Sequence, residues 1–399
     1  MRILIFGPWA ITRARHGGQI RAANIVSAYR AAGHDVKFIG IYDPNNVPPL
    51  DTTRDDVPID ATVMQFVHAS GVPWQISLWR SFAECKVLFE RFVAIVRDFK
   101  PDVVQFEEPY MWPLVRTLRD SSHLRDVRII HSSYNFETEY RRELSRIAGH
   151  FDEAVLLDVA QQEEQIAREC DLVITVSDDD ARSFRALGAS RVIVARNGSS
   201  RVLPCKTAIR AVNDYLGAQS FALFVSSAHP PNAQGLLQFV EGIEQPLPGK
   251  LIICGAVFKL LESQRRKHRL LRDAEIWGMV DPEVLQALLA RASVVILPKT
   301  SGGGSNLKTS EALLSARPVV ATRFAFTGFE DWQDLQGVWI EDEPIMFWRR
   351  VAEQLRSERD PSSTWHESAF ERRNHLLWEA CLVPMVDALA QDLVTGAAS

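Results

Sequence analysis

The sequence predicts an α/β protein made of two doubly wound parallel-sheet domains with a cleft between them. Three observations predict it. Short apolar runs alternate with helical patterns along the first half, as buried parallel strands and their crossover helices do. The alternation restarts after a turn cluster at Asn197-Gly198-Ser199-Ser200. The 399 residues are enough for two ordinary domains.

The elements follow in order. Arg2–Gly7 reads as the first strand of a buried parallel sheet, apolar at Ile3–Phe6. A helix over Gln19–Ala32 and a strand over Asp35–Ile41 come next. Ala83–Asp98 is helical, and Val103–Phe106 and Val127–His131 are strands. Glu153–Cys170 is a long helix, followed by the strand Leu172–Val176, the helix Asp178–Leu187 and the strand Arg191–Ala195. Asp178-Asp179-Asp180 follows Ser177 after a strand, so it reads as a helix start rather than a metal site. Periodicity is weak up to about Gln219, and the linker is placed over 201–218. The second strand set is Ala222–Val225, Lys250–Cys254, Glu275–Trp277, Val294–Leu297 and Pro318–Ala321. The tail reads as helical from about Ser368 to Leu393, anchored by Phe370, Leu376, Leu377 and Trp378. The expected domains are 1–200, joined by a returning tail helix over 368–399, and 219–367.

Composition bounds the function. A hydrophobic fraction of 46% and a charged fraction of 24% are ordinary for a soluble globular protein. Net charge is −5, which argues against nucleic acid as a partner. The five cysteines form no CxxC or zinc-like spacing and fit free thiols in a reducing cytoplasm. The apolar start MRILIFGPWA is too short for a signal peptide or a membrane span, and no other run reaches membrane length.

The stretch PKTSGGGSNLKTSEALLSARPVVAT, 298–322, carries the most chemistry. It reads as a strand end, a glycine loop, a helix and another strand. Gly302, Gly303 and Gly304 let the backbone turn sharply and approach a ligand. Ser305 or Asn306 caps the helix, whose free first-turn amides and dipole favour an anion. Lys308 and Glu311 share one helix face. A carboxylate one turn inside an anion-binding helix start suits a nucleoside diphosphate and its ribose. The alternative is a flexible turn followed by a solvated ion pair. The position, at the C-terminal edge of a parallel strand, is where doubly wound sheets bind ligands.

At this point the chain resembles the GT-B fold glycosyltransferases, and most closely family 4 of the retaining enzymes. The resemblance covers nearly the whole chain. PWAITRARHGGQIRAANIVSAYRAAGHDVKFI is similar to the family's opening strand, glycine loop, helix and second strand, with Gly17, Gly18 and Arg21 in its GG-x-x-R position. CDLVITVSDDDARSFRALGASRVIVARNGSS resembles the strand-helix-strand that ends at the linker. FVSSAHPPNAQGLLQFVE and WGMVDPEVLQALLARASVVILP resemble segments of the nucleotide domain, and the glycine loop supplies G-G-G-x-x-x-K-x-x-E-A.

The resemblance implies two Rossmann-like domains facing across a cleft, with the C-terminal helix returning to the first. It implies retaining, metal-independent transfer of a hexose from a nucleotide-diphosphate sugar to a glycan or lipid-linked glycan, set in bacterial surface polysaccharide synthesis in the cytoplasm. No cofactor is expected. Residue by residue, it puts Glu311 on the ribose and the amides of Ser305, Asn306 and Leu307 on the diphosphate. Gly303 and Gly304 belong to the same donor loop, and Gly17 and Gly18 to the loop that closes over the donor phosphate. Lys308 takes a phosphate or loop-anchoring role.

The chain departs from the pattern at three places. The first member of the family's E-x7-E pair falls at Gly303. The loop Ser226–Gly235, where many members carry a basic pair, has neither Arg nor Lys; His229 and Gln234 stand there. HSSYNFETEY resembles a motif SS-H-N-x-E, with Tyr134 at the histidine. Tyr134 can donate a hydrogen bond but is no cation at neutral pH. His131 is the substitute if the strand end bends inward, and otherwise a strand-end histidine; Tyr134, His131 and Lys308 are the catalytic candidates the resemblance implies, and His229 is grouped with the donor-binding residues.

Glu107, Glu108 and Tyr110 follow one strand end, and Asn135 and Glu137 follow the next. They read as acceptor-binding residues or as loop-capping pairs, and Arg21 is grouped with them on the acceptor side. The basic run SQRRKHRLLR, 263–272, reads first as a solvated helix face and second as a contact with anionic lipid of the inner membrane or with a pyrophosphate-linked acceptor. Val72–Phe89, with Trp74, Trp79 and Phe82, reads as core or as an interfacial element. Other functions fit less well: a non-catalytic scaffold of the same fold, or a sugar epimerase or phosphorylase. A NAD-dependent enzyme would need G-x-G-x-x-G after the first strand, where Gly7-Pro8-Trp9-Ala10 stands.

Overall fold

Apolar runs buried on both faces set the first sheet. The computed structural model describes residues 1–45, 47–69, 74–149, 152–243, 245–357 and 371–396. The chain divides into two compact units, Met1–Arg196 with Leu382–Ser399, and Asn197–Cys381.

In the first unit the strands are β1 (Arg2–Phe6), β2 (Asp35–Ile39), β3 (Ile41–Tyr42), β4 (Val57–Pro58), β5 (Val103–Phe106), β6 (Arg128–Ser132), β7 (Leu172–Thr175) and β8 (Val192–Val194). Six of them form a parallel sheet in the order β2-β1-β5-β6-β7-β8, and β3 and β4 pair separately. The expected strand Asp35–Ile41 therefore breaks at Gly40 into β2 and β3. Trp79 and Phe82 belong to the core, where Phe82 packs edge-on to Phe92 at 4.9 Å. The interfacial reading of that segment fails for these two side chains; Val72 and the side chain of Trp74 lie outside the described residues.

The second unit repeats the plan with β9 (Phe221–Val225), β10 (Lys250–Cys254), β11 (Glu275–Gly278), β12 (Val294–Leu297), β13 (Val319–Ala321) and β14 (Val338–Ile340). Its parallel sheet runs β11-β10-β9-β12-β13-β14. The order reverses between β9 and β12, and in the first sheet between β1 and β5. Ligands of doubly wound sheets bind beyond the strand ends at such a switch point.

Two boundaries differ from expectation. The segment placed as a linker contains a helix, Lys206–Leu216, that buries Ala208, Val212 and Leu216 in the second core. That stripe repeats every four residues, as a helix face does, but spans only three positions. The tail rejoins the first unit at Leu382, not near 368. Before that point Leu376 lies in the second core and the Arg373 guanidinium donates to the Leu313 carbonyl at 2.8 Å. Beyond it, the helix Val383–Gly396 packs on β8, where Arg191 donates to the Ala388 carbonyl at 2.9 Å. Phe370 lies outside the described residues. Among the described residues no helix is long and apolar enough to cross a membrane.

Candidate functional site

The second switch point is built mostly from backbone. The loop leaving β12 turns through Gly302 at φ 111° and Gly304 at φ 62°, both in the left-handed region that favours glycine. The helix Leu307–Leu314 begins directly after it. Asn306 is its N-cap, with the side-chain oxygen accepting from the Lys308 amide at 3.3 Å. Ser305 is held in the fold by Asn197, whose side-chain amide donates to the Ser305 carbonyl at 3.1 Å. The Ser310 hydroxyl donates to the Gly198 carbonyl at 3.1 Å, so the Asn-Gly turn and the loop support each other.

The Lys308 amine sits 2.8 Å from a Glu311 carboxylate oxygen, and both side chains are partly exposed. Their i,i+3 spacing therefore gives a real pair. Ser226, Asn232, Pro298, Lys299, Asn306 and Lys308 line a small pocket beyond β9 and β12. His229 stands at the start of the helix Pro230–Val240. Burial, and then the Lys299 charge, push its imidazole down to about 4, so it is neutral at pH 7. Lys299 was not singled out from the sequence. It precedes the glycine run and gains its neighbours only when β9 and β12 pair.

The first switch point is built from side chains. Tyr29 donates to Gln105 at 2.7 Å, and the Gln105 amide donates to Glu107 at 2.6 Å. Arg21 is 1% exposed and its charge acts on Glu107, Tyr29 and Tyr134. Burial raises the Glu107 carboxyl; hydrogen bonding from Gln105 and the Arg21 charge oppose this. Tyr134 is stacked nearly parallel on Trp9, rings 6.2 Å apart, and its hydroxyl reaches the Gly18 carbonyl at 3.4 Å. Any Cβ at Gly18 would lie 2.4 Å from Trp9 and 3.2 Å from Tyr134. The Gly17–Gly18 turn thus lies against an aromatic pair and opens the helix Gly17–Ala31.

Tyr110, Glu137 and Arg141 form a closed triangle. Tyr110 donates to Glu137 at 2.6 Å, and the Arg141 guanidinium donates to Tyr110 and Glu137 at 2.7 and 2.8 Å. Glu163 accepts from the Glu137 and Thr138 amides at 2.6 and 3.1 Å and so holds that helix start. Glu108 is partly exposed beside them; burial first, then the Glu137 charge, raise its carboxyl to about 8. Asn135 is partly exposed, its carbonyl accepting from the Ser133 hydroxyl.

His131 does not join Tyr134. It is fully buried on the sheet face that carries Phe106, with ring centroids 4.7 Å from Phe106 and 5.7 Å from Phe184. Strand alternation turns it away from its neighbour Ser132, which faces Glu107. Burial pulls the imidazole down to about 3, so it is a neutral core side chain. The inward bend required of it is not made. Asp180, last of the aspartate run, accepts from the Phe136 amide at 2.9 Å and from the Ser177 hydroxyl at 2.6 Å. Among the described residues no group of three or more His, Cys, Asp or Glu is placed to hold a metal ion.

Known proteins agree with this plan. Residues 16–198 match the model of the glycosyl transferase 4-like domain, and residues 219–356 that of glycosyl transferases group 1. No curated protein sequence matches the chain. Among solved structures, sucrose-phosphate synthase from Thermosynechococcus elongatus is similar with a TM-score of 0.74, at 18% identity, over 100% of both chains. Alr3699/HepE of Anabaena, solved with UDP-glucose, gives a TM-score of 0.65 at 14% identity over 98% of this chain and 100% of that one. The lipopolysaccharide outer core galactosyltransferase WaaB gives 0.61 at 12% identity over 98% of this chain and 100% of that one. Two parallel-sheet units of this topology define the GT-B class of sugar-transferring enzymes. This chain belongs to the family 4-like glycosyltransferases of that class.

Proposed function

We propose that the protein is a retaining glycosyltransferase. It moves a hexose from a nucleotide-diphosphate sugar to a hydroxyl of a glycan or lipid-linked glycan. The donor lies on the second unit and the acceptor on the first. The observation that carries this reading is the start of the helix Leu307–Leu314, with a positive-φ glycine loop before it and Glu311 one turn inside. First-turn amides and the helix dipole offer preorganised donors to the charge that develops on a leaving diphosphate. In this reading Glu311 accepts from ribose hydroxyls once its pairing with Lys308 loosens or is shared. The diphosphate leaves from the face on which the acceptor arrives and takes up the acceptor proton, so no protein nucleophile and no protein-bound metal is used. UDP and UDP-glucose in the structures of Alr3699/HepE support a nucleotide sugar as donor. The acceptor class and a role in bacterial surface polysaccharide synthesis at the cytoplasmic membrane face extend the same reading. WaaB, by its name a lipopolysaccharide enzyme, favours it.

The test is calorimetry and thermal shift with UDP, GDP, ADP and dTDP on the wild type and on Glu311→Ala. One diphosphate should bind the wild type, and the variant should lose about tenfold or more in affinity, as for a charged hydrogen bond. Binding of none of the four at millimolar concentration removes the reading. Turnover of the matching nucleotide sugar, with the anomeric configuration of the product read by NMR, then decides retention against inversion.

A further inference from the structure

Resting on the nucleotide reading above, we infer that Lys299 is the cation that grips the donor diphosphate, from the loop after β12 rather than the loop after β9. Four observations converge. The pocket beyond the switch point has two amines on its wall, Lys299 and Lys308. The charge of Lys308 is committed to Glu311 at 2.8 Å. That of Lys299 is not: among the described residues its amine has no carboxylate partner and sits 5.6 Å over the Phe324 ring. Its tip lies under the glycine loop, since a Cβ at Gly302 would be 3.6 Å from the amine.

The backbone around Lys299 is fixed for this task. Its carbonyl accepts from the Thr322 hydroxyl, and the next residue, Thr300, donates to Gln238 at 2.6 Å. Burial without a counter-charge lowers the amine to about 8. The same charge is felt by His229, which follows β9, and Lys299 shares the pocket wall with Ser226 and Asn232 of that segment. The loop and helix start after β9, 226–235, contain neither Arg nor Lys. A half-buried cation without a partner is costly until an anion arrives, and a diphosphate supplies that anion.

The experiment compares Lys299→Met and Lys299→Arg with the wild type. The probes are the nucleoside diphosphate found to bind, its nucleoside, and inorganic pyrophosphate. Lys299→Met should weaken diphosphate and pyrophosphate binding by about 10- to 100-fold, as for loss of a charged hydrogen bond, and leave the nucleoside unchanged. Between pH 7.5 and 9.5 the free wild-type amine loses its proton. Diphosphate affinity should therefore fall above about pH 8, by up to about tenfold per unit. Lys299→Arg keeps its charge and should abolish this fall. If Lys299→Met does not fold, the pH profile of Lys299→Arg decides alone. Equal diphosphate affinity in wild type and Lys299→Met, or a fall with pH that survives in Lys299→Arg, overturns the assignment and leaves the nucleotide site standing. Failure of the wild type to bind any diphosphate overturns both.

Discussion

Beyond β9 and β12, the polar groups include backbone amides, an asparagine cap and an amine with no carboxylate partner among the described residues, beside the Lys308–Glu311 pair. Beyond β1 and β5, at the equivalent point of the first sheet, they are buried side chains bonded largely to one another, with one Glu107 carboxylate oxygen left without a hydrogen-bond partner. The difference separates two uses of polarity. Open valences on a fixed backbone are suited to taking a charged ligand. Closed networks of buried side chains fix shape, because each member is costly to strip of its partner. Among residues first read as acceptor contacts, Glu107, Tyr110 and Glu137 are thus engaged inside the fold, while Glu108, Asn135 and the edge of Tyr134 remain partly exposed.

The hardest test of this contrast is Arg21→Ala. Arg21 is 1% exposed and supplies the positive charge that opposes the burial of Glu107. Removing it leaves a buried carboxyl without its cation and a cavity beside Tyr29. The expected loss is about 3–5 kcal/mol, read as a drop in the first unfolding transition. Adding Glu107→Gln should recover part of it. An unchanged melting temperature would mean that the network is not closed, and the comparison would fail at its first member.

Much of the fold is legible in the sequence for one physical reason. Strands covered on both faces need unbroken apolar runs, and β1, β7, β9, β10 and β12 have them. β14 was missed because it has three residues, all only half-buried. The helix Lys206–Leu216 was missed because its apolar stripe spans three positions. At the sites, residue type was legible and direction was not. His131 carries suitable chemistry, but strand alternation aims it into the core. The triangle of Tyr110, Glu137 and Arg141 joins positions 31 apart, which no local spacing reveals. The glycine loop could be read because its meaning is local: a turn, a cap and a helix start are contiguous in sequence.

A smaller effect sharpens the other side of the comparison. Asn197 is buried and donates to the Ser305 carbonyl at 3.1 Å, which fixes the residue before the helix cap. Asn197→Ala should weaken nucleotide binding by roughly tenfold, the worth of about 1–1.5 kcal/mol for a buried hydrogen bond. Calorimetry with the bound diphosphate measures it. The melting temperature of the first unit should not move. If affinity is untouched, the loop holds its shape without that support.

The smallest effect concerns Glu108, an acidic side chain beside the first network. Glu108 is raised to about 8 in the folded state, chiefly by burial and then by Glu137. A free glutamate titrates near 4.3. Between these values the folded state holds a proton that the unfolded state has lost, so stability falls as pH rises through this window. Glu163, raised to about 7 by burial, works in the same direction. Glu108→Gln should therefore lessen, without abolishing, the fall in melting temperature between about pH 5 and 8. Partial exposure and solvent screening keep the difference to about 3 °C or less. A scan of melting temperature against pH for wild type and variant reads it directly. Parallel curves would mean that Glu108 is ionised and solvated at neutral pH, so that the first switch point, like the second, keeps an open charge for a ligand.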